Sequence, residues 1–174
     1  MMTVKKTDNV AVMVTGLGWM KQGIRSIWSV MEDMIKNASD EIQIAVYLIT
    51  TGSTDFLQLL KNDLNRGIRI TFLVNSFFSQ PVDVQKQLYE LANKYPYFVL
   101  LDFIGTERET LHAKIIVVDR KVAFIGSSNL TGGGLTYNHE IGVRIEGPAA
   151  KQIAEIIDLL GIDPRTHRVE SEFV

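Results

Sequence analysis

The sequence contains no cysteine. Disulfides and thiolate metal sites are therefore excluded, and a reducing compartment suits the chain. Proline is scarce, at four in 174 residues, and no low-complexity tract interrupts the chain, a composition that belongs to globular rather than linker-like proteins. Neither sign of charge prevails. Lys and Arg number 18 against 20 Asp and Glu, giving a net charge of −2 and a pI of about 5.9. No global field draws in a polyanion, and only a local basic cleft would. Lys21, Arg25, Arg66, Arg69, Arg120 and Lys121 furnish one if the fold collects them. No apolar run approaches the roughly 18 residues of a membrane span. Lys5-Lys6 ahead of the apolar residues 10–14 has the outline of a signal peptide, but Asp8 and Asn9 interrupt it. The run is also too short for a signal core, and a strand explains it better. These absences predict a cytoplasmic protein with no stable membrane association.

What is present alternates between two periods. Residues 10–14, 42–49, 68–74, 97–103 and 141–145 are short apolar, β-branched or aromatic runs that read as strands. Between residues 20 and 37, Ile24, Ile27, Trp28, Met31 and Ile35 recur at helical spacing, after a loop at 16–18. A second helix carries Phe56, Leu57, Leu60 and Leu64, capped by Ser53 or Thr54 and stopped at Gly67. Pro81 opens a third with Val84, Leu88 and Leu91 inward, and residues 149–160 close with a fourth. Residues 113–118 and 122–125, joined by Asp119-Arg120-Lys121, read as a hairpin. The expectation is one domain over residues 1–174, of α/β class. It holds a mixed, mostly parallel sheet of about seven strands with helices on both faces. The polar tail after about 162 is expected to fray. No internal repeat is visible.

The chemistry gathers at the hairpin. His112 and Lys114 lie two apart at the entrance of an apolar strand and so share one face. The second strand runs out into Gly126-Ser127-Ser128-Asn129, where Ser127 and Asn129 have the same offset. Folding the hairpin brings the four polar side chains to one end of the sheet. A neutral imidazole is a nucleophile or base near pH 7. An ammonium with Asn and Ser donors stabilises an anionic oxygen. Attack on a phosphodiester needs this pair of functions, and Gly126 allows close backbone approach beside them.

The pattern His112-x-Lys114-x4-Asp119-x6-Gly126-Ser127-x-Asn129 resembles the HxKx4Dx6GSxN signature of the phospholipase D superfamily. Six residue types at about 5% usage each match a given start about once in 10⁸, on the order of 10⁻⁶ over this chain. Asn65-Arg66-Gly67 before a β run, and Glu140 eleven residues after Asn129, are similar to the family as well. The resemblance covers most of residues 40–146. It implies that His112 attacks phosphorus to form a phosphohistidine, while a second histidine protonates the leaving oxygen and later activates water. It implies that Lys114, Asn129 and Ser127 bind the phosphate, that Glu140 orients the imidazole, and that neither metal nor cofactor is required. Asp119 and Gly126 support the motif. Asp119, placed in the turn by the strand pattern, reads as structural.

Only one copy of the motif is present, whereas the mechanism uses two histidines. Single-motif members of the family, including small bacterial endonucleases, assemble the site across a homodimer two-fold, which puts two copies of His112 face to face. Two close imidazoles titrate as a pair and supply base and acid together. The expectation is a homodimeric, metal-independent nuclease acting on DNA or RNA. A phospholipase D-type lipid phosphodiesterase or transferase is the alternative. A non-catalytic binding or assembly module of a larger nucleic-acid-processing system is a third reading, disfavoured because every motif residue is intact. Among other features, Gly132-Gly133-Gly134 lacks the Lys-Ser/Thr of a phosphate loop and reads as a flexible loop beside the site. Residues 50–54 either line the cleft or cap a helix. Glu107-Arg108-Glu109 reads as a solvated loop and His139 as structural. Trp19, Trp28 and Phe77-Phe78 read as core or interface, and His167 has no assigned role.

Overall fold

The alternating apolar runs fold into strands of one eight-stranded sheet, ordered β1-β7-β6-β5-β2-β3-β4-β8 in the computed structural model, which describes residues 7–20 and 23–170. The strands are β1 (Asn9–Thr15), β2 (Glu41–Val46), β3 (Arg69–Asn75), β4 (Phe98–Phe103), β5 (Lys114–Val118), β6 (Val122–Gly126), β7 (Glu140–Glu146) and β8 (Thr166–Arg168). The helices are α1 (Leu17–Met20), α2 (Ile27–Lys36), α3 (Thr54–Asn65), α4 (Val82–Lys94) and α5 (Pro148–Gly161). The mixed α/β class holds. The expected predominance of parallel pairing does not: β2–β3 and β3–β4 are parallel, and every other neighbour is antiparallel. The reason is topological. Only the two crossovers through α3 and α4 set strands of the same direction side by side, whereas the hairpin and the outer strands pair with neighbours running the other way.

Strand alternation divides the core in two. Ile42, Ile44, Val46, Ile70, Phe72, Val74, Ile116 and Phe124 face α2, α3 and α4. The intervening Ala45, Leu73, Val117 and Ala123 meet Ala150, Ala154 and Ile157 of α5. In α2 the buried set is Ile27, Val30, Met31, Met34 and Ile35, the 3-4 spacing of one helix stripe. Removing a buried ring such as Phe72, which is fully enclosed, costs about 3–5 kcal/mol.

Three local expectations change. The helix expected from residue 20 begins at Ile27, and the short α1 starts within the expected loop and runs to Met20. Ser26 is extended and caps α2, its Oγ accepting from Ser29 N at 3.1 Å. Val14 N donates to Arg25 O at 3.1 Å, so residues 25 and 26 run beside β1 instead of joining the helix. Residues 21 and 22, including the candidate basic residue Lys21, lie outside the described residues. Neither Ser53 nor Thr54 caps α3. Their hydroxyls donate backward to Thr50 O and Thr51 O, closing a 3₁₀ turn at Thr51–Ser53. The tail does not fray at 162. Thr166–Arg168 adds an eighth strand to β4, opposite Leu101–Phe103.

Candidate active site

At the β5–β6 turn, Asp119 and Arg120 adopt left-handed φ of 52° and 53°, a pair of conformations that Asp tolerates because its short side chain bonds locally. Asp119 accepts from Ser39 N at 3.0 Å, Ser39 Oγ at 2.7 Å, Asp40 N at 2.8 Å and Glu41 N at 3.0 Å. Burial works to raise its carboxyl, but the bond from Ser39 Oγ and the backbone N–H groups outweigh it and hold the group below the usual carboxylate range. Asp119 therefore fastens the hairpin to the start of β2, at the end of β5 remote from His112.

Six residues earlier in the chain from Val118, His112 stands just ahead of β5, exposed, while Lys114 opens the strand and is 7% exposed. Lys114 Nζ lies 3.2 Å from His112 Nδ1, 3.3 Å from Nε2 and 3.2 Å from His112 O. The shared face read from the sequence is thus a direct contact. Burial lowers the Lys114 pKa below 10.5, and the negative charge of Glu140 partly restores it.

Glu140 opens β7 and pairs with Thr15 across β1. Ser127 Oγ donates to its Oε2, and Asn138 Nδ2 to its Oε1 at 3.3 Å. Ser127 Oγ in turn accepts from Ile141 N at 3.2 Å. Among the described residues Ser127 and Asn138, not His112, supply the hydrogen bonds to this carboxylate. Gly126 permits this approach of β6 to β7, since an added Cβ there would stand 2.7 Å from Phe124 Cζ and 3.0 Å from Ile141 O. Past Gly126 the chain leaves the sheet, and Leu130 bridges to Ile49. Asn129 Oδ1 is buried with no hydrogen-bond partner among the described residues. Ser127 thus meets Glu140, while Asn129 is carried toward the end of β2.

Tyr47 was not singled out by any sequence pattern. Its ring centroid lies 4.6 Å from that of His112, tilted by 51°, and Lys114 Nζ lies 5.4 Å from the same ring. The available signal was an aromatic at the polar end of an otherwise aliphatic strand. Gly52 packs on Gly132, an added Cβ standing 2.6 Å from Gly132 N, so residues 50–54 serve as a wall against the loop after Asn129. Part of that loop is regular, Gly133–Tyr137 forming a π-helical turn. Glu109 of the charged loop pairs with Arg165 at 2.6 Å. His139 forms an edge contact with Trp19 at 5.0 Å. Of the described candidate basic residues, Arg25 and Lys121 line one cleft, together with Arg144, Asp33 and Glu146. Arg69 and Arg120 pair with Asp40, Glu41 and Asp158, and Arg66 with Asp63, at the sheet end opposite His112. Arg25 pairs with Asp33.

Residues 31–160 match the family model described as cardiolipin synthase, PLD-like domain. The chain belongs to the phospholipase D superfamily. Its fold is that of superfamily phosphodiesterases. Nuc from Salmonella typhimurium, a phospholipase D family member, superposes with a TM-score of 0.73 over 96% of this chain and 100% of its own, at 19% identity. NucT from Helicobacter pylori gives 0.66 over 89% and 93%, at 18% identity. Phosphatidylserine synthase from Haemophilus influenzae gives 0.67, covering 94% of this chain and 40% of that one, at 15% identity. Among curated relatives, DISARM protein DrmC of Bacillus paralicheniformis is 23% identical over 77% of this chain and 55% of its own length. An uncharacterized Helicobacter pylori protein is 27% identical over 70% of this chain and 27% of its own length. The chain thus spans between about a quarter and about half of these curated superfamily relatives. Among the described residues no helix is long and apolar enough to cross a membrane.

Proposed function

We propose that this superfamily member is a metal-independent nuclease, acting as a homodimer through a phosphohistidine intermediate. The observation that carries the reading is the His112–Lys114 contact at a strand entrance, with Glu140 held beside it by Ser127. A ring nitrogen of His112 attacks phosphorus, and a P–O bond to the leaving nucleoside oxygen breaks. That oxygen takes a proton from the second histidine. Water then gives its proton to that histidine and its oxygen to phosphorus, which frees His112. Lys114, Asn129 and Ser127 supply positive charge and donors to the phosphoryl oxygens. The unpartnered Asn129 Oδ1 faces inward, consistent with an amide whose NH₂ is turned toward substrate.

One nucleophile per chain argues for the two-fold. So does Glu140, whose two oxygens bond Ser127 and Asn138 within the subunit. We assign its orienting role to the partner subunit's His112. The end-to-end likeness to Nuc and NucT supports nucleic acid over lipid as substrate.

The test is to incubate the protein with labelled single- and double-stranded DNA, RNA and phosphatidylcholine in excess EDTA, beside His112→Ala. Cleavage of nucleic acid that persists in chelator and vanishes in the variant is expected. Loss on chelation refutes the metal-free mechanism, and hydrolysis of the lipid alone refutes the substrate. Sedimentation should give twice 19.6 kDa; an active monomer would sink the shared site.

A further inference from the structure

Two buried side-chain amides hold together the ends of three strands directly beneath His112. Gln80, 6% exposed, accepts from Ile49 N at 3.1 Å and donates to Tyr47 O at 3.3 Å and Asn75 O at 2.8 Å. Asn75, also 6% exposed, accepts from Leu111 N at 2.9 Å. Tyr47 N donates to Ala113 O at 2.9 Å. The backbone of Tyr47 is thus fixed on both sides, and the residue before His112 is tied to the same frame. Apart from Asn75 Nδ2, which donates to Ser76 Oγ at 3.2 Å, these bonds go to main chain, and buried amides so bonded are costly to disturb, so they make a rigid reference.

We infer that Tyr47 is a positioning residue for His112, clamped in place by Gln80 and Asn75. The inference rests on the reading of His112 as the nucleophile. The second torsion of a histidine is soft, and an exposed ring turns readily about it. Here the Tyr47 ring, 4.6 Å away, limits that rotation, and Lys114 Nζ touches both ring nitrogens. The ammonium also lies within cation–π reach of Tyr47, so one aromatic ring fixes the nucleophile and the phosphate-binding charge relative to each other. Tyr47 is only partly buried and belongs to neither core cluster. Plain packing does not account for it.

The experiment uses the full chain with Tyr47→Leu, Tyr47→Phe and Gln80→Glu. It reads kcat and KM on a labelled oligonucleotide, and the His112 ring resonances by NMR. A misplacement of about 1 Å at a reacting atom costs about 100-fold. Tyr47→Leu is therefore expected to lower kcat by about 10- to 100-fold with KM within about 3-fold, and to move the His112 signals as the tyrosine ring current is lost. Tyr47→Phe keeps the ring and restores both. Gln80→Glu keeps the acceptor for Ile49 N and loses both donations, so it shifts the His112 signals and lowers kcat to an intermediate value. The proposal is overturned if Tyr47→Leu leaves kcat unchanged, or raises KM alone as loss of a substrate contact does. It is overturned equally if Tyr47→Phe is as damaged as Tyr47→Leu, or if Gln80→Glu behaves as wild type. A wild-type protein that cleaves no nucleic acid refutes the nuclease reading. Unmoved His112 signals in Tyr47→Leu refute the positioning by themselves, whatever the activity.

Discussion

Replacing Asp119 separates what the motif does for the fold from what it does for the chemistry. Its carboxylate accepts four hydrogen bonds from Ser39, Asp40 and Glu41. A bond to a charged group is worth about 1.5–3 kcal/mol. Four such values cannot be summed, because they share two oxygens and the turn is partly open to water that replaces some of them. Asp119→Asn keeps the oxygen that Asp40 N and Glu41 N use and puts an NH₂ group against Ser39. The expected loss is about 2 kcal/mol. Asp119→Ala loses every bond and adds about 1 kcal/mol for a left-handed alanine, for a total of about 3–4 kcal/mol. With a urea slope of about 2 kcal/mol/M, the alanine midpoint falls by about 1.5–2 M. The native carboxyl sits below its unfolded value, so this stability is present above about pH 4 and is lost as pH falls through the lower folded pKa. Urea titration at pH 7 and well below pH 4 measures the difference, and kcat is taken on folded protein in the cold. An unchanged midpoint with a collapsed kcat would refute the argument and put Asp119 in the chemistry.

Three further outcomes follow from the same geometry. Asp63 is buried with Oδ2 unpartnered, and burial raises its pKa to about 6 despite the nearby Arg66. The raised folded value means its contribution to stability is full below about pH 4 and lost by about pH 6. Asp63→Asn should therefore stabilise the protein at pH 7 by about 1–3 kcal/mol and flatten thermal stability across that window; a destabilised variant contradicts this. The lowered Lys114 pKa means its charge is present below that value and lost above it, so kcat/KM should fall on the alkaline side below pH 10.5. Lys114→Arg, slower but always charged, should lack that limb, and a matching limb in both proteins would assign it elsewhere. Gly134→Ala would place a Cβ 2.5 Å from Asn129 O and 2.9 Å from Ser128 Oγ. It should lower Tm by several degrees, about 1–3 kcal/mol of overpacking, and reduce turnover by displacing Asn129; an unchanged Tm refutes the contact.

The strands were legible because both sheet faces are covered, so β2, β3 and β5 are continuous apolar runs bounded by polar residues. The hairpin and the His112–Lys114 face followed from strand period alone. Parallel against antiparallel pairing was not legible. Nothing local in residues 42–46 distinguishes a neighbour at β3 from one at β5, and both are present. The strand Thr166–Arg168 was missed because three residues carry no period, and its pairing with β4 is purely tertiary. Tyr47 and Gln80 escaped for a related reason. Gln80 bonds backbone groups of other segments and the Tyr47 ring lies against a side chain from another strand entrance, and no spacing in one sequence records that.

The two anchors at the ends of β5 give the motif a second meaning. Four unspecified residues separate Lys114 from Asp119, and they make up the rest of the five-residue strand. Six more before Gly126 complete a turn and the return strand. The intervals of the motif are therefore a ruler for one hairpin, with His112 and Lys114 at one tip and the mooring of Asp119 to Ser39 at the other. A single inserted residue would leave every chemical group in place along the chain and yet invert which face of the sheet receives them. On the proposed reading of the site, its spacing matters as much as the imidazole.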